Sequence, residues 1–384
     1  MTIAELHADE DLRRHEFPVV AAKTFLGHAA VAPLPRRVAD AVKARAEAAV
    51  TADQEASLPP NYVADTRRLV ADVLQAQPDE IAFVGPTSLA LSYVAAGMPW
   101  KRGHNVLIYH DDYPSNVYPW MALADRGVEV RLMNIRELGK IRMVDVQGQV
   151  DENTKLVALA SCHFVTGWRV NVDALGKWLH QRGILFCLDA IQTLGAFPTS
   201  VEHVDFLAAD THKWMLGPCA AGVLYVRKAV QARLAPIVHG WHNVRSPGFL
   251  SQESIDFRGD ARRYEVGSHN LLGLAGLRAA FALLEEVGIR NIAAELVRKR
   301  EWLVPALQAK GCEVLQPEMP PENAGGITSF AVPGADMAAL HRRLADAGIV
   351  TSLRGTRDGR HWIRLSPHYY NTDAELHRLL GHLG

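Results

Sequence analysis

Lys155-Leu156-Val157-Ala158-Leu159-Ala160 and Ile184-Leu185-Phe186-Cys187-Leu188 are two apolar runs separated by a helix-like stretch, Val172 to Arg182. Neither run alternates polar with apolar, so each reads as a strand buried on both faces. Strand, helix, strand with such strands predicts parallel neighbours in a sheet covered by helices. The pattern extends both ways. Upstream lie Ile81-Ala82-Phe83-Val84, Asn105-Val106-Leu107-Ile108-Tyr109 and Val128 to Leu132. Downstream lie Val204 to Ala208 and Gly222-Val223-Leu224-Tyr225-Val226. The reading is an α/β fold with a mostly parallel sheet in a large domain over 16–270.

The pattern changes after about residue 270. Leu271 to Val287 and Asn291 to Lys310 read as long helices. Shorter strands follow at Ile327 to Val332, Ile349 to Leu353 and Trp362 to Leu365, and a last helix spans Thr372 to Leu383. This predicts a smaller α+β domain over 271–384, with residues 1–15 packing near it. A chain of 384 residues is long enough for two such units.

Charge and composition exclude several classes. Forty-one Lys and Arg balance 42 Asp and Glu, so no field draws a polyanion and no nucleic-acid partner is expected. A 48% hydrophobic and 22% charged composition is that of a globular protein, not a disordered one. Cys162, Cys187, Cys219 and Cys312 show no paired spacing and imply no disulfide framework. No apolar run reaches the roughly 18 residues of a membrane span, and the first residues do not read as a signal peptide. The expectation is a cytoplasmic enzyme with no membrane partner.

Three stretches carry chemistry. In Val84-Gly85-Pro86-Thr87-Ser88 a buried strand ends and a helix opens with two hydroxyls. Free N–H groups and the helix dipole favour a phosphate there, although the same hydroxyls would serve as caps. In Leu188-Asp189-Ala190-Ile191-Gln192 an acid stands at the end of an apolar strand, where open α/β sheets place their sites. In Asp210-Thr211-His212-Lys213-Trp214 a lysine follows an apolar strand in an aromatic turn. A desolvated lysine amine can form a Schiff base. Asp189 precedes Lys213 by 24 residues. Anion site, acid for a ring nitrogen and Schiff-base lysine, in that order, are what pyridoxal 5′-phosphate (PLP) requires.

From about Phe25 to Leu383 the chain resembles the class V aminotransferase family of fold type I PLP enzymes. That family includes cysteine desulfurases, selenocysteine lyases, kynureninases and isopenicillin N epimerase. The resemblance rests on Asp189-Ala190-Ile191-Gln192 with Asp210-Thr211-His212-Lys213. Phe25-Leu26-Gly27-His28, Tyr113-Pro114-Ser115-Asn116, Arg263-Tyr264-Glu265-Val266-Gly267-Ser268 and Arg364-Leu365-Ser366 add to it. It implies that Lys213 is the catalytic Schiff-base lysine and moves the proton at the substrate Cα. It implies that Asp189 pairs with the pyridinium, and that Gln192 bonds the ring's phenolic oxygen. Thr87, Ser88 and His212, with Asp210 beside them, would hold the phosphate. Ser268 would reach the phosphate of a neighbouring subunit, which implies a homodimer with shared sites. Tyr113 would cover the cofactor face. Arg364 would clamp the substrate carboxylate, and His28 and Asn116 would line the substrate pocket.

Departures from the family pattern narrow the activity. The stretch Leu353 to His361 has no cysteine where desulfurases carry a nucleophilic one. Ser161 to Trp168 lacks the Asn that desulfurases place before their Gly. The expected reaction is transamination or C–S β-elimination on an amino acid, with epimerisation and then desulfuration behind. A catalytically silent PLP-fold protein is the non-enzyme alternative. His239 with His242, and His110-Asp111-Asp112, have ligand-type spacing but no third partner in sequence, so no metal is expected.

Overall fold

The computed structural model describes residues 1–383. Two short helices come first, α1 (Ile3–Ala8) and α2 (Glu10–Glu16), capped by the Thr2 and Asp9 side chains. A two-residue strand β1 (Thr24–Phe25) and helices α3 (Arg36–Ala48) and α4 (Tyr62–Leu74) follow. Strand β2 (Ile81–Val84) then ends at Gly85-Pro86, and α5 (Thr87–Gly97) starts at once. Next come β3 (Asn105–Ile108), α6 (Tyr118–Met121), β4 (Glu129–Leu132) and α7 (Met143–Gln147). They lead to β5 (Thr154–Ala160), α8 (Val172–His180), β6 (Leu185–Asp189), β7 (Phe206–Asp210) and β8 (Gly222–Val226). The last third holds α9 (Leu271–Val287), α10 (Ile289–Ala309), β9 (Glu313–Val314), β10 (Thr328–Ala331) and α11 (Met337–Asp346). It ends with β11 (Ile349–Val350), β12 (Ser352–Gly355), β13 (His361–Leu365) and α12 (Asp373–Gly381).

The seven expected strands form one sheet in the order β2-β8-β7-β6-β5-β3-β4. The four pairs from β7 to β4 are parallel, and β8 runs against both of its neighbours. The reason lies in the connection. Between β7 and β8 stands only the lysine loop, too short for a crossover helix, so the chain returns antiparallel. Because β8 is flanked by β2 and β7, those two run the same way. Register sets Val84 and Asp210 on either side of Gly222. The phosphate-type turn and the lysine turn therefore leave the sheet at the same edge, side by side.

Helices cover both faces. Apolar residues of α5 and α6 pack on one face with Ile108, Ala158, Cys187 and Leu224. On the other face α4, α8 and α9 pack with Leu107, Val157, Phe186 and Leu207. A third cluster, around Phe330, Ile363 and Leu376, belongs to the small sheet β12-β13-β10-β9. Helix α9 lies with the large core, although 270/271 was the expected division. Helix α10 spans both cores: Ile292 and Leu296 join the large one, and Leu303 and Leu307 join the small one. The N-terminal helices bridge as well. Leu6 and Phe17 enter the large core, while Arg13 pairs with Glu375 (2.8 Å) on α12.

Candidate active site

Strands β5, β6 and β7 end at Ala160, Asp189 and Asp210; Ala160 is opposite Asp189, and Asp210 lies two residues beyond Ala208, the partner of Asp189. Lys213 stands three residues beyond β7. It is 6% exposed, and its Nζ lies 5.2 Å from the centre of the Tyr113 ring. Burial drags its amine from the usual lysine range to about 8, although Asp189 pulls the other way. The loop is held from many sides. His212 O accepts Ala32 N–H (2.7 Å), and Trp214 O lies 2.9 Å from His368 Nε2. Trp214 donates from its indole to Gln192 (2.8 Å), and Thr211 donates from its hydroxyl to Pro218 O (2.7 Å). Leu216 and Ala220 both adopt positive φ, at 60° and 57°, which L-residues avoid. Strain retained in a loop this well pinned is a mark of a functional turn.

Asp189 is 2% exposed, and its Oδ1 accepts Ile191 N–H (3.1 Å). Burial raises its carboxyl to about 6, against the pull of that hydrogen bond and of Lys213. Gln192 is equally buried and donates one amide hydrogen to Ala29 O (3.1 Å). One hydrogen on its nitrogen remains for another acceptor.

Arg364 is 1% exposed and forms no ion pair among the described residues. Its guanidinium donates to Phe164 O (2.7 Å) and lies 3.5 Å from Ser352 Oγ, while Nε is buried with no partner. Burial, then the charge of Arg354, weaken its hold on its proton. In the β12–β13 pair Ser352 is opposite Arg364, so Arg354, two residues on, shares that face. Its Nε is also buried without a partner. Two desolvated cations with no acid between them call for an anion. Arg354 was missed in the sequence; the only signal for it is its two-residue spacing from the residue opposite Arg364.

The anion corner is less uniform. Thr87 opens α5, no side chain caps that helix, and Thr87 Oγ1 is buried with no hydrogen-bond partner. Ser88 is half-buried beside it. His212 is half-buried, with Nδ1 2.9 Å from Asp210 Oδ2 but without hydrogen-bond alignment. Asp210 is buried. Its carboxylate accepts the N–H groups of Thr211 (2.7 Å), Ala220 (3.0 Å) and Ala221 (3.1 Å), so it shapes the lysine loop. Ser268 is exposed, in a cavity of about 240 Å³ that Val84, Gly85 and Ala220 also line.

Two expected pocket residues face inward instead. His28 is fully buried, with Nδ1 2.8 Å from Ser366 O and Nε2 2.6 Å from the Tyr370 hydroxyl. Asn116 spends its amide on Asp112 (3.0 Å) and on the Trp120 indole (3.1 Å). The cavity beside Tyr113, about 350 Å³, is lined instead by Asp112, Pro114, His163, Phe164, Gly355 and Arg357 among others. Arg357, on the β12–β13 turn, donates to Asp111 and to His110 O, closing one side of it. Asp112 also escaped a site role in the sequence, although, like Asp189, it closely follows an apolar strand.

His242, Glu265 and His269 bring ligand-type atoms within 4.8 Å of one another. The Glu265 carboxylate, however, already receives two hydrogens from Arg67 (2.5 and 3.1 Å) and one from Phe83 N–H (2.7 Å). Its Oε2 also lies 3.1 Å from His269 Nε2. With about four acceptor sites filled, it has no lone pair left for a cation. The group is a structural ion-pair network.

The description "Aminotransferase class-V" belongs to a family model that matches residues 24–379. A probable cysteine desulfurase of Methanothermobacter thermautotrophicus is 29% identical, over 97% of this chain and 96% of its own. The apo structure of a cysteine desulfurase from Thermococcus onnurineus superposes with a TM-score of 0.88 at 25% identity. That match covers 97% of this chain and 96% of the other. The cystine C–S lyase C-DES, solved with its product cysteine persulfide, shares the fold at TM-score 0.85 and 21% identity, over 96% of this chain and 98% of its own. With the family model matched over nearly the whole length, the chain belongs to the class V aminotransferase family.

Proposed function

We propose that this protein is a PLP enzyme acting at Cα of an amino acid, by β-elimination at a C–S bond or by transamination. One observation carries the reading: Arg364, buried and without an acid, waits with Arg354 near the desolvated amine of Lys213. The residues fit the cofactor. Thr87 Oγ1, buried and unpartnered at the start of α5, suits a phosphate oxygen. Ser88 and the first-turn N–H groups stand beside it, with His212 across the lysine turn.

When bound, PLP supplies an aldehyde for the amine and a ring that takes up the electron pair left at Cα. Asp189 would accept the ring N–H and keep it protonated. The amide hydrogen of Gln192 not given to Ala29 O would serve the phenolic oxygen. Tyr113 covers one ring face. Arg364, with Arg354, takes the substrate carboxylate, for which a forked guanidinium is better suited than an ammonium. Lys213 Nζ would take the proton from the substrate Cα and, once protonated, would give it up either to the cofactor side in transamination or to the β substituent as that group leaves with its electron pair. Ser268 of one protomer completes the phosphate site of another, making the working unit a homodimer.

Elimination and transamination are favoured over desulfuration because the β12–β13 turn, Gly355 to Arg360, offers no thiol. Cys162, Cys187 and Cys312 are buried, burial pushes the Cys162 thiol up to about 12, and the exposed Cys219 lies on the lysine loop rather than on that turn. The test is the absorbance spectrum of the purified protein titrated with amino acids, including cysteine, cystine and their sulfoxides. Pyruvate with ammonia means elimination, and pyridoxamine phosphate means transamination. Lys213→Ala is expected to abolish turnover while keeping the fold. Full activity in that variant would overturn the reading.

A further inference from the structure

The peptide carbonyls on either side of Lys213 are both held by segments distant in sequence. His212 O accepts Ala32 N–H (2.7 Å), and Trp214 O lies 2.9 Å from His368 Nε2. The second contact comes from a side chain. His368 Nδ1 lies 2.9 Å from Tyr369 N–H, which can only donate, and Trp214 O can only accept. Both partners therefore assign the same neutral tautomer, with the ring hydrogen on Nε2 and given to Trp214 O. The ring is fully buried, and burial, then His28, keep it neutral well below the usual histidine range.

His368 is itself fixed. Its backbone N–H donates to Asn371 Oδ1 (2.7 Å). Its ring meets His28 edge-on (5.2 Å, 75°) and lies nearly parallel to Tyr370 (6.0 Å, 12°). Two residues earlier, Ser366 Oγ accepts Ala29 N–H (2.9 Å), and Ser366 N–H donates to Leu26 O (2.8 Å). Ser366 O takes the Nδ1 hydrogen of His28 (2.8 Å). Two residues before that stands Arg364, on β13. One short stretch thus carries both the unpaired guanidinium and the donor that holds the lysine turn. Arg364 belongs to the small sheet, whereas the lysine turn leaves the large one. The His368–Trp214 bond crosses between them, and both side chains are fully buried, so water does not compete for it. Such spacing matters, because a misplacement of about 1 Å costs roughly 100-fold in rate.

We propose that His368 is a positioning residue: its Nε2–H, held on Trp214 O, sets the distance between the Lys213 amine and a substrate carboxylate on Arg364. The proposal rests on reading Lys213 as the Schiff-base lysine and Arg364 as the carboxylate clamp. No proton moves through His368; the ring acts as a fixed neutral donor.

The test separates the donor from the ring. In His368→Asn the side-chain oxygen still receives Tyr369 N–H, but the amide is too short for Trp214 O. In His368→Gln the amide nitrogen reaches as far as Nε2. Urea unfolding first establishes that each variant is folded. Apoprotein is then acetylated with acetic anhydride from pH 6 to 10, and labelling of the Lys213 peptide is followed by mass spectrometry. The wild-type midpoint is expected near 8. A loosened turn admits water to the amine, so His368→Asn is expected to raise the midpoint by about one pH unit. In the PLP-loaded enzyme, His368→Asn is expected to lower kcat about 10- to 100-fold with KM little changed, since geometry and not substrate binding is lost. His368→Gln is expected to recover most of both effects. A midpoint or a kcat left unchanged in His368→Asn would overturn the proposal. Equal losses in the Asn and Gln variants would also overturn it, because a merely structural ring predicts that result. Should His368→Asn fail to fold, His368→Phe, which keeps a ring and drops the donor, replaces it under the same criteria. Full activity of Lys213→Ala or of Arg364→Ala would overturn the underlying reading and this proposal with it. Wild-type behaviour of His368→Asn overturns the proposal alone.

Discussion

Lys213 and Asp189 show how burial turns ordinary residues into chemical ones. The amine near 8 is a usable nucleophile only in its neutral fraction. Its pKa is lowered on folding, so protonation at acid pH works against the site. The rate of PLP incorporation into apoprotein is therefore expected to rise about tenfold per pH unit below about 8 and to level off above it. Stopped-flow absorbance measures this; a rate independent of pH between 6 and 8 would contradict it. At Arg364, truncation to Ala removes a charge-assisted hydrogen-bond pair worth about 3 kcal/mol, or roughly 100-fold in kcat/KM. Arg364→Lys should recover only part of it, because the fork is lost. Steady-state kinetics on the preferred amino acid checks both. Lys213 and Asp189 were legible because each closes an apolar run in a distinctive local context. Arg354 and Asp112 were not, since what singles them out lies on other strands and loops.

At the scale of elements, the site edge depends on how β2, β7 and β8 meet. A Cβ on Gly222 would lie 2.1 Å from Gly85 O, so only glycine lets the phosphate turn approach the lysine loop. The Arg67–Glu265 pair fastens this edge from behind, joining α4 to Phe83 on β2 and to the segment before Ser268. Burial opposes the Glu265 charge, yet the His269 and Arg67 contacts win and hold the carboxyl below its usual range. Glu265→Gln leaves the Arg67 charge uncompensated in the interior and should cost about 3 kcal/mol. Urea unfolding with unchanged slope would show this; a loss under 1 kcal/mol would mean that water reaches the pair. Element existence was readable from apolar runs, including the exact span of α9. The reversal of β8 was not, since direction follows from how short the lysine loop is.

Across the whole molecule, the chain stitches its two cores together twice, through α10 and through the N-terminal segment. Helix α9 packs in the large core, and α10 contributes to both. Phe17 stacks on Tyr370 at 4.0 Å, with the rings 10° from parallel. Phe17→Ala should cost about 3–5 kcal/mol, the range for emptying a buried aromatic site. It should also loosen α12, which Arg13 holds through Glu375. Calorimetric unfolding reads the first effect and hydrogen exchange on α12 the second; unchanged exchange would mean that the segment does not couple the two units. No described helix is long and apolar enough to cross a membrane.

By itself the sequence determined the α/β class, the seven strands of the large sheet and the family. These follow from local facts: uninterrupted apolar runs, and polar residues placed at their ends. Tertiary structure decided which polar groups remain available. It tied His28 and Asn116 into internal hydrogen bonds, turned Asp210 onto its own loop, and left Thr87 Oγ1, Arg354 and Arg364 with unanswered polar atoms. Availability is a property of partners, and partners distant in sequence meet only when the sheet and its two flanking cores have formed.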